Sequence, residues 1–281
     1  MRALLLSVTA GYGHISTAKA IAEEFASRGV EAHVEDLYQQ ISRLTYEIID
    51  NGYLFAINHL KSAFKHGYAQ MENSEMMRRL ASVFTSNDLI ASRLARRLHE
   101  ADPDVIISTH PFAGQVLNRL KEQGKLRIPC IGVITDYCIH PGWEDCGALE
   151  YIVTASELLT YVAEKKHIRP EQIAPLGIPA RRRFRTKTPK AEARRALGFD
   201  EDRGIILIMG GSMGFGNMIN NVSAVDHMDT GYQIVCICGN NDKLRKQLTY
   251  LKTNSPITVR GFVDNVDAYM DAADCIVTKP G

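Results

Sequence analysis

Short apolar runs alternate along the chain with amphipathic stretches of about ten to fifteen residues, the pattern of strands buried in a parallel sheet and helices that cover it. In the first half, Ala3 to Val8, Ala32 to Leu37, Val105 to Thr109, Ile128 to Thr135 and Tyr151 to Thr154 read as strands, each closed by a turn or polar residue. The stretch after the first run places Ala18, Ile21, Ala22 and Phe25 at i, i+3, i+4 and i+7, one buried helical stripe that Gly29 terminates. From Tyr38 to His99 the strand signal disappears and a long helical insertion is expected. Between Ile41 and Met71 it interleaves Tyr46, Tyr53, Phe55, Phe64 and Tyr68 with Arg43, Lys61, Lys65 and His66. That composition suits a membrane interface, and equally a pair of helices laid over the sheet.

The pattern restarts after a basic segment, Arg181, Arg182, Arg183, Arg185, Lys187, Lys190, Arg194 and Arg195, broken by Glu192 alone among acids. Pro179 to Pro189 reads as an interdomain linker, and Ile205 to Met209, Ile234 to Cys238, Ile257 to Val259 and Cys275 to Thr278 as the strands beyond it. The fold class is therefore α/β, in two domains over residues 1–178 and 179–281. The last strand reaches almost to Gly281, where a helix is due, so the second domain is expected to be incomplete.

Composition narrows the function classes. At 281 residues with 45% hydrophobic and 23% charged side chains the chain is globular, and its net charge of +1 gives no global reason to expect nucleic acid. Residues 1–170 carry 18 basic and 20 acidic side chains against 15 and 12 in residues 171–281, so the positive excess lies where an anionic ligand or lipid would meet it. Six cysteines, mostly in apolar runs, suggest reduced thiols and a cytoplasmic setting. No apolar stretch approaches the roughly 18 residues of a membrane span, so membrane contact would be peripheral.

Candidate chemistry sits at the strand ends. Thr9-Ala10-Gly11-Tyr12-Gly13-His14 follows strand one and opens a helix, where open α/β sheets bind ligands. Ser16 stands where the third glycine of a dinucleotide fingerprint would be, which makes a nicotinamide enzyme a minor reading. A helix N-terminus disfavours imidazolium, so His14 is a candidate neutral base. Ser108-Thr109-His110-Pro111 and Thr135-Asp136, followed by His140-Pro141-Gly142-Trp143, close neighbouring strands and offer His110, Asp136 and His140 as further site residues. In the second half, Met209-Gly210-Gly211-Ser212-Met213-Gly214-Phe215-Gly216 follows a strand and precedes a helix, an anion cradle suited to a diphosphate but without a Walker lysine. Asp102-Pro103-Asp104 and Asp200-Glu201-Asp202 have the D-x-D form of a metal-holding motif but precede strands, at the wrong sheet edge. Cys138, His140 and Cys146 match no closed zinc spacing, and no metal or cofactor is expected.

Taken in order, these motifs resemble the monogalactosyldiacylglycerol synthases and processive diacylglycerol glucosyltransferases of glycosyltransferase family 28. The resemblance is carried by Gly11-Tyr12-Gly13-His14 with Ala18-Lys19-Ala20-Ile21, Ser108-Thr109-His110-Pro111, Val133-Ile134-Thr135-Asp136 with His140-Pro141-Gly142-Trp143, and Gly177-Ile178-Pro179. It continues through Met209-Gly210-Gly211-Ser212-Met213-Gly214, Cys238-Gly239-Asn240-Asn241, Gly261-Phe262-Val263 and Asp274-Cys275-Ile276-Val277-Thr278-Lys279-Pro280-Gly281. It implies two Rossmann-like domains in a GT-B arrangement, the first for the acceptor lipid and the second for a UDP-sugar. It also implies an inverting transfer of glucose or galactose from UDP-glucose or UDP-galactose to diacylglycerol, at the inner face of an anionic membrane. By the same resemblance His14 is the base, Gly11, Gly13, His110, Asp136 and His140 meet the acceptor, and Gly210, Gly211, Ser212, Met213, Gly214, Gly261, Phe262, Val263 and Gly281 meet the UDP-sugar. Ser212-Met213 departs from the Gly-Glu common in relatives, and the family's downstream Gly-Thr and acidic ribose ligand are absent. Alternatives are a polyprenyl-linked acceptor and a non-catalytic UDP-sugar binder.

Overall fold

The computed structural model describes residues 1–8, 12–37, 39, 88–157, 168–214 and 216–279. The chain divides into two compact units, Met1–Arg181 and Arg182–Gly281, with the break within the basic segment.

The first unit is built on β1 (Arg2–Ser7), β2 (Glu31–Asp36), β3 (Val105–Ser108), β4 (Cys130–Val133), β5 (Tyr151–Val153) and β6 (Ile173–Ala174). They form one six-stranded parallel sheet in the order β2-β1-β3-β4-β5-β6. The five strands expected from apolar runs are present, β1 and β2 displaced by one residue and β3, β4 and β5 shorter than expected, while two-residue β6 has no run to announce it. Alternate residues of β1 serve opposite faces. Leu5 joins Ile107, Val133 and Ala18 of α1 (Tyr12–Ser27), with Ile21, Ala22 and Phe25 packed alongside, the stripe the spacing predicts. Leu4 and Leu6 turn the other way, onto Ile90, Leu94 and Leu98 of α2 (Asp88–Ala101) and Val116, Leu117 and Leu120 of α3 (Pro111–Glu122). Because α1 and α3 leave from neighbouring strands to opposite faces, the strand order reverses between β1 and β3, which opens a crevice at the carboxyl ends of those strands.

The second unit repeats this logic with β7 (Ile205–Met209), β8 (Gln233–Ile237), β9 (Ile257–Arg260) and β10 (Cys275–Thr278), all parallel, in the order β10-β7-β8-β9. Ile206, Ile208, Ile234 and Cys236 pack on α5 (Met218–His227) and α6 (Asp242–Thr249). Ile205, Leu207, Val235 and Ile237 pack on α4 (Lys190–Ala196) and α7 (Val266–Ala272). Here the reversal lies between β7 and β10. Among the described residues β10 is an edge strand, with β7 as its one neighbour, and is largely exposed rather than buried as its apolar sequence suggests.

Candidate active site

At the first reversal the sequence positions an imidazole on rigid elements. His14 lies in the first turn of α1, and its Nδ1 is 2.8 Å from the carbonyl oxygen of Thr109, the residue following β3. A carbonyl can only accept, so Nδ1 carries the proton and Nε2 presents a lone pair. Thr135 Oγ1, just beyond β4, lies 2.9 Å from the same Nδ1 and shares it as a second acceptor. The Thr135 hydroxyl is directed to Asp136 Oδ2, 3.5 Å away. Burial pushes the His14 pKa below its ordinary value, while the Thr109 carbonyl and the Asp136 charge pull it partly back. The ring is neutral near pH 7 and ready to accept a proton at Nε2.

His110 stands beside it, the ring centroids 4.5 Å apart and the planes at 66°. It is the N-cap of α3, extended at φ −134° and ψ 136°, with Nδ1 accepting the Phe112 N–H at 3.2 Å. Enclosure and the neighbouring His14 and His140 hold it neutral, well below the usual histidine range. His140 lies further out. Its ring is 6.2 Å from Phe112, itself 4.9 Å from His110, and its Nδ1 accepts the Gly142 N–H. The loop carrying Asp136 and His140 is anchored by Trp143, only 2% exposed and seated where a Cβ on Gly132 would meet its Cζ3 at 2.6 Å. Ser7 Oγ and Thr109 Oγ1, at the ends of β1 and β3, are buried with no hydrogen-bond partner among the described residues, a cost usually found where function needs it.

In the second unit the turn after β7 interlocks with the turn after β8. Ser212 O accepts the Asn240 N–H at 2.7 Å, and Gly210 N–H reaches Ile237 O. A Cβ on Gly239, at φ +55°, would stand 2.2 Å from Ser212 O, and one on Gly214, at φ +59°, 2.3 Å from Cys238 O. Asn241 Oδ1 caps α6 through Leu244 N. Gly261, after β9, lies against the Arg245 side chain, with Phe262 partly exposed next to it and Val263 packed into the core.

The first reversal therefore unites His14, Thr135, Asp136 and His110, with His140 reached through the Phe112 ring, and among the described residues nothing lies within 4 Å of where a Cβ on Gly13 would stand. The second unit brings Gly210, Gly211, Ser212, Met213 and Gly214 into one turn. Gly11, Gly281 and the aromatic segment 41–71 lie outside the described residues. Two residues were missed. Thr135 was read only as a strand end, although a hydroxyl beside an acid is a signal for relayed hydrogen bonding. Lys279, after β10, brings its Cε to 3.2 Å from the missing Cβ of Gly211 and makes no ion pair among the described residues. Only the sheet order places it beside β7.

Both D-x-D segments are occupied elsewhere. Asp102 and Asp104 take the Arg2 guanidinium and the Arg2 N–H, while Asp200 Oδ1 accepts the Asp202 N–H within its own turn and Glu201 between them takes Arg195. Much of the basic segment is also internally paired, Arg181 with Glu23, Arg183 with Asp267, and Lys190 and Arg194 with Asp274. Among the described residues, no group of three His, Cys, Asp or Glu could hold a metal ion, and no helix is long and apolar enough to cross a membrane.

Two parallel α/β units, each with its polar loops gathered at a strand-order reversal, have the fold of the two-domain GT-B class of glycosyltransferase. The crystal structure of Anabaena Alr3699/HepE in complex with UDP-glucose matches with a TM-score of 0.59 and 13% identity, over 98% of this chain and 73% of that one. The monogalactosyldiacylglycerol (MGDG) synthase family matches residues 14–180 and the glycosyltransferase family 28 C-terminal domain residues 205–281. The chain belongs to the MGDG synthase family. It is 28% identical to the processive diacylglycerol beta-glucosyltransferase of Bacillus pumilus, covering 99% of this chain and 72% of that protein. It is 32% identical to the chloroplastic monogalactosyldiacylglycerol synthase of Spinacia oleracea, covering 100% of this chain and 56% of that protein.

Proposed function

We propose that the protein transfers glucose or galactose, with inversion, from a UDP-sugar to the free hydroxyl of diacylglycerol. The observation that carries this reading is the His14 geometry, Nδ1–H committed to the Thr109 carbonyl and Nε2 left as a lone pair. His14 Nε2 takes the hydroxyl proton as the oxygen bonds to the anomeric carbon, and the bond from that carbon to the diphosphate breaks from the opposite side, releasing UDP. Family membership and the names of the two relatives support the hexose and the lipid acceptor, and the UDP-glucose held by a structural neighbour supports the donor. In the second unit the turn Gly210–Gly214 and the Lys279 ammonium receive the diphosphate, with Gly261, Phe262 and Val263 near the base. In this reading the enzyme works at the cytoplasmic face of an anionic membrane, where it meets its lipid acceptor. Since the arginines around the linker are largely paired internally, the contact is assigned to the aromatic and basic segment 41–71.

The test is His14→Ala with diacylglycerol vesicles and each UDP-hexose. Loss of general-base assistance is expected to lower kcat by about 10² to 10⁴ with UDP affinity unchanged. A variant retaining the wild-type rate defeats the assignment.

A further inference from the structure

We infer that His110 is a second catalytic group of this site, donating its Nε2–H to the oxygen of the same acceptor hydroxyl whose proton His14 removes. The inference rests on the reading that the site activates an alcohol, and it adds the reason why an alcohol is chosen.

The argument is one of tautomers. A neutral imidazole has one N–H and one lone pair, and the backbone decides which nitrogen has which. His14 gives Nδ1–H to the Thr109 carbonyl, leaving Nε2 as acceptor. His110 does the reverse. Its Nδ1 is consumed as acceptor of the Phe112 N–H, so the proton of the neutral ring sits on Nε2. No hydrogen bond engages either Nε2 among the described residues, and neither atom is among the described buried polar atoms left without a partner. The two rings are 4.5 Å apart edge to face. An acceptor and a donor of opposite sense, fixed by two different strand ends, thus stand side by side.

A hydroxyl group matches this pair. Its proton goes to His14 Nε2, one lone pair accepts from His110 Nε2–H, and the remaining lone pair is left for the anomeric carbon. In the reaction the O–H bond breaks toward His14, the new C–O bond forms from the free lone pair, and the old anomeric C–O bond leaves its electrons with UDP. His110 keeps its proton throughout and steadies the charge that builds on the oxygen. An ammonium has no lone pair to offer, a carboxylate has no proton to give, and a thiol is a poor hydrogen-bond acceptor.

Two measurements test this. Nitrogen-15 NMR of the chain at neutral pH reads the tautomers without turnover. The expected result is a protonated Nδ1 on His14 and a protonated Nε2 on His110, and a proton on Nδ1 of His110 overturns the inference. The second uses His110→Asn, whose side-chain carbonyl preserves the cap of α3 while deleting the outer N–H, and His110→Gln, whose amide can replace that N–H. Rates are taken with diacylglycerol and with its analogue bearing a thiol in place of the hydroxyl. His110→Asn is expected to lower kcat/KM for the hydroxyl by about 10²-fold, as for removal of one oxyanion donor, with far less effect on the thiol, and Gln restores part of the loss. Equal losses on both acceptors, or no loss, reduce His110 to a helix cap and overturn the inference. A wild-type chain that transfers no hexose to diacylglycerol refutes the underlying functional reading instead.

Discussion

Replacing Gly239 by alanine tests whether the two turns of the second unit form one rigid cradle. Gly239 has φ +55°, and an added Cβ would lie 2.2 Å from Ser212 O and 2.6 Å from Gly211 O. Neither oxygen is the tip of a flexible side chain, and Ser212 O is itself fixed by the Asn240 N–H at 2.7 Å. A left-handed backbone costs an L-residue about 1 to 2 kcal/mol, and overpacking adds typically 1 to 3 kcal/mol. The control is Gly231→Ala, since Gly231 has φ +73° with nothing within 4 Å of the added atom, so only the first cost applies. Urea unfolding is expected to give a loss of about 1 to 2 kcal/mol for Gly231→Ala and about 2 to 5 kcal/mol for Gly239→Ala. Calorimetric titration with UDP should show unchanged affinity for the first and at least about tenfold weaker binding for the second, because the displaced atoms belong to the Gly210–Gly214 turn. If the two variants prove alike in both assays, the interlocked turns do not hold the diphosphate.

Further outcomes follow from named contacts and from the two buried imidazoles. Arg194 is buried, bonded to Ala272 O, Glu201 O and Asp274 Oδ2; Arg194→Ala should cost about 2 to 4 kcal/mol in urea unfolding, and a loss under 1 kcal/mol would show that Lys190 alone satisfies Asp274. Lys279→Met should weaken UDP binding about tenfold and flatten its salt dependence, measured by titration at two ionic strengths; an unchanged affinity removes Lys279 from the donor site. Because His14 has its pKa lowered from 6.5 and works as the neutral ring, the acid limb of kcat/KM should fall below pH 6.5. Asp136 raises that pKa, so Asp136→Asn should move the limb to still lower pH, and an upward shift contradicts the assignment. The same lowering on His14 and His110 makes folding stability complete above pH 6.5 and declining below it, since the unfolded chain takes up protons that the folded rings refuse.

How much of this was legible in the sequence depends on whether a feature is local. Strand interiors buried on both faces are apolar throughout, and their ends are marked by the polar residues that leave the sheet, so β1, β3 and β7 fall close to their expected places. The helical stripe of α1 was equally plain, because packing on one face demands its period. β6 has two residues and is held by pairing with β5, a non-local cause with no pattern of its own. The same holds for exposure: the β10 sequence is apolar, yet its place at the sheet edge leaves Ile276 at 38% exposure.

The site residues divide along the same line. His14, His110, Asp136 and the glycine turn each stand at a strand end and could be nominated one at a time, but which ends meet is decided by strand order. The order reverses once in each sheet because successive crossovers share one hand, and a chain that must cover both faces has to return past its first strand. The reversals fall between β1 and β3 and between β7 and β10. Their neighbours are the residues whose roles local reading missed or left blurred. Thr109 supplies only a backbone carbonyl to His14, which any residue type could do, so no side-chain signal marks it. Lys279 follows the apolar β10 as a lysine follows many strands, and becomes distinctive only when β10 lies beside β7. The chemistry of a reversal is therefore written in atoms the side-chain alphabet does not encode, and the opposite tautomers of His14 and His110 are the clearest case, since both are set by main-chain partners.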